Sequence, residues 1–356
     1  MSLPPHSIRQ SHPAALTTKK YGINKKELLK ACLSREYLLM KRNNFAYIFE
    51  LAQLTIMAII TMTVFLRTQM SRDDVTDGGI YIGALFFGIT VILFNGFAEL
   101  NMTIAALPVF YKQRDLLFYP AGAFSLPSWI LKIPISIMEV AVWVFVTYYV
   151  IGFDPNVKRL FRQYLLLVIL NQVASGLFRF LAAAGRDVIV TNTCGSFALL
   201  VLMVLGGFVL SREDVKKWWI WGYWISPLMY GQNALAANEF LGKQWRDVPP
   251  NSTEPLGVLV LKSRGFFPQA YWYWIGVGAL FGYMFLFNGL YTLALGFLKA
   301  LGKPKAVISE EAINESSNDL SSDGAAQSPT SSSSMRKGSD QEARDDSSIP
   351  TSFYHL

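Results

Sequence analysis

The stretch LFRQYLLLVILNQVASGLFRFLAAA, residues 160–184, decides the fold class. It is apolar for long enough to cross a hydrocarbon core of about 30 Å, because about 20 helical residues at about 1.5 Å each suffice. Yet Asn171, Ser175 and Arg179 recur every four residues, with Gln172 beside them. On a helix these positions form one stripe. Amide, hydroxyl and guanidinium groups at membrane depth face protein or water rather than lipid. The stretch therefore reads as a membrane-spanning helix held inside a bundle.

Five further segments have the same length and character: residues 45–66, 80–100, 129–150, 190–210 and 272–298. The expected fold is an all-α integral membrane protein with six transmembrane helices in a domain covering residues 43–300. Composition agrees. Only 16% of the 356 residues are charged and 52% are hydrophobic, whereas a soluble domain carries about 25% charged residues. The charges crowd the termini and a few loops. The net charge of +7 is explained by a basic segment before the first span rather than by nucleic acid, since no helix-turn-helix, zinc-finger or RNA-binding pattern accompanies it.

Nine Lys and Arg precede the first span, against Arg67 and Arg72 between the first and second. The positive-inside rule places the N-terminus in the cytoplasm, and six crossings return the C-terminus to the same side. Residues 211–271 then form an external loop. Within it KWWIWGYWISPLMY, residues 217–230, is too aromatic for a solvated loop and too short and Pro-broken to span. It is expected to dip into the outer leaflet. Asn251-Ser252-Thr253 is a glycosylation acceptor pattern in the same loop, which makes Asn251 a candidate modification site.

Residues 1–24 read as a flexible N-terminus. Residues 25–42 alternate basic and apolar groups in helical rhythm, with Leu28, Leu29, Cys32, Leu33, Leu39 and Met40 on one face. Such a helix lies along membrane lipid or against a partner. Residues 301–356 turn to Ser, Asp, Glu and Gly and read as a disordered, linker-like tail.

Ionisable groups inside spans are expensive and mark a pathway or an internal partner. The candidates are Glu50, Glu99, Glu139 and Arg179, joined by Asn95 and Asn171 as polar neighbours. Arg179 is expected to pair with an acid on another helix. In the last span Gly278 and Gly282 form a GxxxG that permits close helix packing. Catalytic machinery is not expected: His6, His12 and His355 all lie in the tails, no aspartate falls in a span, and no phosphate-cradling GxxxxGK[ST] occurs. Cys32 and Cys194 are too few for a disulfide framework or a cysteine-rich metal site, so neither metal nor catalytic residues are assigned.

Four passages carry a resemblance. They are LPVFYKQRD at residues 107–115, SGLFRFLAAAGR at 175–186, GGFVLSREDVKK at 206–217 and WWIWGYWISPLMYGQNA at 218–234. In order and spacing they resemble the plant pleiotropic-drug-resistance transporters, full-size members of the ABC G subfamily, and most of all their first transmembrane domain.

The resemblance implies an ABC-2 type, type V exporter-like membrane domain in the plasma membrane, with residues 25–42 as a connecting helix. It implies a coupling region at Phe110, Tyr111, Lys112, Gln113, Arg114 and Asp115, a short polar inner loop on which an ATPase domain presses. It further implies a path for a lipophilic small-molecule substrate, with Phe86, Phe87, Asn95, Phe197 and Leu205 as candidate lining residues. ATP and magnesium would sit on nucleotide-binding domains outside this chain, which also needs a second transmembrane domain. Glu50 stands where the resemblance leads one to expect a lysine, and Cys194 where it leads one to expect an aromatic residue. The family's nucleotide-binding domains are expected to be missing, as in a truncated product. Two functional readings follow: an exporter membrane domain driven by ATPase domains of other chains, or a non-transporting fragment that pairs with full-length relatives and regulates them.

Overall fold

The computed structural model describes residues 24–66, 72, 74–208, 211–212, 215–250 and 252–298. Asn251, the first 23 residues and the tail from residue 301 lie outside these, and with them the expectations of glycosylation, N-terminal flexibility and C-terminal disorder. Among the described residues every regular element is helical: α1 (Lys25–Arg42), α2 (Asn44–Leu66), α3 (Val75–Asp115), α4 (Ala121–Ile151), α5 (Val157–Gly185), α6 (Val188–Leu205), α7 (Ile220–Ile225), α8 (Pro227–Phe240), α9 (Leu256–Ser263) and α10 (Trp272–Phe297). Six of them, α2 to α6 and α10, are long and apolar enough to cross a membrane.

The helix starts follow local chemistry. Asp74 caps α3 in a capping box with Asp77. Asn156 accepts from the Lys158 N–H at the start of α5, and Asp187 accepts from Ile189 and Val190 at the start of α6. Each satisfies backbone donors that have no partner inside the helix.

The polar stripe places α5 at the centre. Of its most apolar window 78% is buried, against 17% for α6 and 22% for α2. It packs between α3 and α10 and also touches α4, α6 and α8. The faces of α2 and α6 that protein leaves uncovered are rich in Ile, Phe, Leu and Val, as lipid-facing surfaces are.

Span bounds and two loops are corrected: the third span starts at residue 121 rather than 129, with Pro127 and Pro134 inside the helix. The second span runs from 75 to 115 rather than 80 to 100, and at about 1.5 Å per residue its 41 residues extend about 60 Å. Lys112-Gln113-Arg114-Asp115 is therefore the last turn of a helix, not a loop. Pro108 lies inside it, at the cost of one backbone hydrogen bond of the helix ladder. The basic last turn also suits the helix dipole. Arg114 fastens it to α10, its Nη1 donating to the Leu295 and Leu298 carbonyls at 2.8 and 2.6 Å.

The fifth span ends at Leu205 rather than residue 210, where Gly206 and Gly207 turn the chain. Finally, residues 211–271 are not simply a loop. Their aromatic run becomes α7 and leads into α8, which starts with Pro227 at its first turn, where proline costs no hydrogen bond. Apart from Tyr230 the whole of α8 is buried, packed on α10, α5 and α3.

Candidate functional site

A close helix crossing sets up the site. Gly96 of α3 lies against α5 so tightly that a methyl group there would stand 2.7 Å from Ala174 Cβ. One turn later Glu99 meets Arg179. The guanidinium donates to Glu99 Oε2 through Nε at 2.8 Å, and Nη2 stands 2.7 Å from the same oxygen. The acid that the sequence could not name is thus Glu99.

The same meeting point gathers two more helices. Lys132 of α4 is 2% exposed, and its Nζ lies 3.0 Å from Glu99 Oε1, 3.2 Å from Glu139 Oε1 and 3.4 Å from Glu50 Oε2. Glu139 Oε2 accepts amide hydrogens from Asn95 at 2.8 Å and Asn171 at 3.0 Å. Ser136 Oγ donates to Asn171 Oδ1 and accepts from Gln172 Nε2, both at 2.7 Å. All five intramembrane polar candidates, Asn95, Glu99, Glu139, Asn171 and Arg179, fall into this one network, together with Glu50.

Sequence reasoning missed Lys132, although it lies within the predicted third span. It precedes Glu139 by seven residues, two helical turns, so both side chains fall on one face. A basic residue two turns from an acid in an apolar helix was the available signal. Three carboxylates surround two cations, leaving one carboxylate in surplus. Glu50 is the least satisfied: its one contact is Lys132 at 3.4 Å and its Oε1 has no hydrogen-bond partner, whereas both oxygens of Glu99 stand within 3.0 Å of a cation. Such a cluster costs desolvation, which the mutual attraction and hydrogen bonds of its members offset.

A cavity of about 720 Å³ opens beside the cluster, lined by Glu99, Lys132 and Arg179 on one wall and by Tyr47, Leu39 and Arg42 near the α1–α2 junction. α1 itself packs against α4. Cys32 is the buried residue of this helix, and Leu39, expected on the same apolar face, is 39% exposed.

The foot of α3 is built differently from expectation. Phe110 and Tyr111 are buried, at 1% and 4% exposure, among Tyr119, Phe124, Tyr291 and Leu295. Of the coupling candidates Lys112 and Asp115 are exposed, while Gln113 and Arg114 are half-buried. Arg35 of α1 donates to Gln113 Oε1 at 2.8 Å and to Tyr119 Oη at 3.2 Å, and Tyr119 donates to the same Gln113 oxygen at 2.5 Å. Burial pushes the Tyr119 hydroxyl pKa up. Beyond this junction Leu116, Leu117 and Phe118 project into the open. Their turn is closed by Phe118 N–H to Gln113 O, with Leu117 at φ 58, the left-handed residue of a Schellman-type cap. Sequence reading stopped one residue short of this apolar tip.

The five lining candidates do not share one surface. Phe197 and Leu205 of α6 line an apolar groove of about 580 Å³ with Leu200, Val204 and Trp219. Phe86 instead stacks on Phe208 at 4.0 Å between ring centres, and Phe87 lies near Trp143. Asn95 belongs to the charge cluster.

Six long apolar helices around a buried ionic core form a polytopic membrane domain. Residues 27–240 match the ABC-2 type transporter family, and the chain belongs to it. Residues 245–308 match the family described as plant PDR ABC transporter associated. Similar proteins are plant pleiotropic-drug-resistance, or ABC G, transporters. Pleiotropic drug resistance protein 1 of Petunia axillaris is 64% identical over 87% of this chain and 22% of its own length. ABC transporter G family member 40 of Arabidopsis thaliana is 65% identical over 86% of this chain, and member 53 of Oryza sativa subsp. japonica 62% identical over 90%, each match covering 22% of the relative. The chain spans about a fifth of the length of these curated relatives.

Proposed function

We propose that these residues form a transmembrane domain of an ATP-driven exporter of amphipathic or lipophilic small molecules. ATPase domains and a second transmembrane domain are contributed from outside these residues, and ATP and magnesium are held by the former. The observation that supports this most is the junction of Arg35, Gln113 and Tyr119. It ties α1, the end of α3 and the start of α4 into one foot that carries the exposed Leu116–Phe118 tip. A domain pressing on that tip moves α3, and with it Glu99 in the charge cluster.

In this reading the foot and both termini are cytoplasmic, as the nine basic residues before α2 favour, and the membrane is the plasma membrane. The apolar groove on α6 supplies one wall of the substrate path. Membrane vesicles carrying the native protein with its partners test the proposal. ATP-dependent uptake of a lipophilic dye that Leu117→Asp abolishes, without loss of the folded chain, is the expected result. Uptake unaffected by that change, or independent of ATP, overturns it.

A further inference from the structure

At the end of the bundle away from α1, several segments converge on one carboxyl group. Glu239, near the end of α8, is 0% exposed. Its two oxygens accept the backbone N–H of Asp154, on the α4–α5 connection, at 3.2 and 3.3 Å. Oε1 also accepts from the Trp245 indole at 3.3 Å. Every donor to Glu239 is neutral. Among the described residues no Lys or Arg stands at ion-pair distance from it.

A half-buried cation nearby is committed elsewhere. Arg159 of α5 holds Asp154 Oδ2 through Nε at 3.2 Å and donates from Nη2 to the Leu241 carbonyl at 2.7 Å. The other groups facing Glu239 are Tyr148 of α4, whose hydroxyl donates to the Asp154 carbonyl at 2.7 Å, and Tyr81 of α3. The Arg72 guanidinium lies over the Tyr81 ring and donates to the Gly152 carbonyl. Past α8, Lys243 and Arg246 are exposed. An ionised Glu239 is thus a second buried carboxylate beside Asp154 without a cation of its own.

We propose that Glu239 is a proton-binding site, and that its protonation latches α8 onto the α4–α5 connection. Placing this latch on the outer side rests on the orientation proposed above; the latch itself does not. Burial, with the Asp154 charge adding to it, pushes the Glu239 carboxyl up from 4.5 to about 7. A carboxyl raised in the folded state binds its proton more tightly there than in the opened state. Its stabilising contribution is complete below the ordinary value and is lost as pH rises through about 7.

Hydrogen exchange of the full chain in lipid nanodiscs, corrected for the intrinsic effect of pH, tests this. Protection of residues 227–245 falls by about tenfold between about pH 5.5 and pH 8. Glu239→Gln, which imitates the neutral acid, keeps its protection at both pH values. Trp245→Phe removes a donor to the anion while keeping a ring, and moves the midpoint to higher pH. Protection independent of pH in the wild type, a Glu239→Gln variant that retains the wild-type dependence, or an unmoved midpoint in Trp245→Phe each overturns the latch. In sealed right-side-out vesicles only external pH acts. A response to internal pH alone overturns the orientation and leaves the latch standing.

Discussion

Arg179 and Glu99 meet through two guanidinium nitrogens on one carboxylate oxygen, at 2.7 and 2.8 Å, with both side chains almost fully buried. Breaking such a pair from one side leaves the other charge stranded, which costs about 3–5 kcal/mol. Arg179→Leu is expected to lower the thermal midpoint of the detergent-purified protein steeply. The double change Arg179→Leu with Glu99→Leu should recover part of the loss, because it strands neither member. A double variant as unstable as the sum of the singles would mean that the two residues do not interact.

Lys132 serves three carboxylates, so the residues of the cluster are unequal. Lys132→Met should be the most damaging single change, leaving Glu50 and Glu139 without their cation and Glu99 with Arg179 alone. Glu50→Gln removes the surplus charge and is expected to leave the thermal midpoint unchanged or higher. Equal damage from both would show that the charge balance does not govern stability here.

Leu117 is a β-carbon residue in left-handed backbone, a conformation that costs about 1–2 kcal/mol. Leu117→Gly should therefore stabilise the isolated domain by about 1 kcal/mol. It also removes an exposed apolar side chain from the tip. If the tip is a docking point, the same variant raises the melting temperature and weakens co-purification of an ATPase-bearing partner. A variant that binds its partner as before would sink the docking role while leaving the strain argument intact.

Gly276 of α10 faces Ala234 and the Tyr230 carbonyl, and an added methyl group would come within 2.6 Å of the former and 2.7 Å of the latter. Gly276→Val is expected to push α10 off α8 and cost about 1–3 kcal/mol. Gly278 and Gly282 have no neighbour within 4 Å of such a methyl. Bulky residues there should leave the melting temperature alone and act only on assembly with another domain, which crosslinking in native membranes would reveal.

The six spans were legible because hydropathy over about 20 residues is a strong signal, and the α5 stripe correctly announced its burial. The α8 helix was not, since Gln232, Asn233, Asn238 and Glu239 dilute its hydropathy and Pro227 resembles a break. Its neighbours on α5 and α10 make it an interior element, which only tertiary contacts reveal. The foot of α3 was mistaken for a loop for a similar reason. Pro108 and a charged run both argue against helix locally, and Arg114 overrides them by binding the end of α10 nearly two hundred residues later. Lys132 was available to inspection, because the rule that singled out Glu139 applies equally to a cation two turns away. The Glu239 knot was not: its partners come from separate segments, and a glutamate in an external stretch carries no mark of burial.

Pro108 leaves α3 with one missing backbone hydrogen bond, seven residues before its end. Above that position the helix has a complete ladder through the charge cluster to its capped start, so it resists bending. Below it side chains offset the loss, Arg114 holding the end of α10 and Arg35 holding Gln113. Braced in this way at its foot, the rod moves as one piece. A push on Leu117 therefore reaches Glu99 as a displacement of the whole shaft, not as a local deformation that dies out on the way.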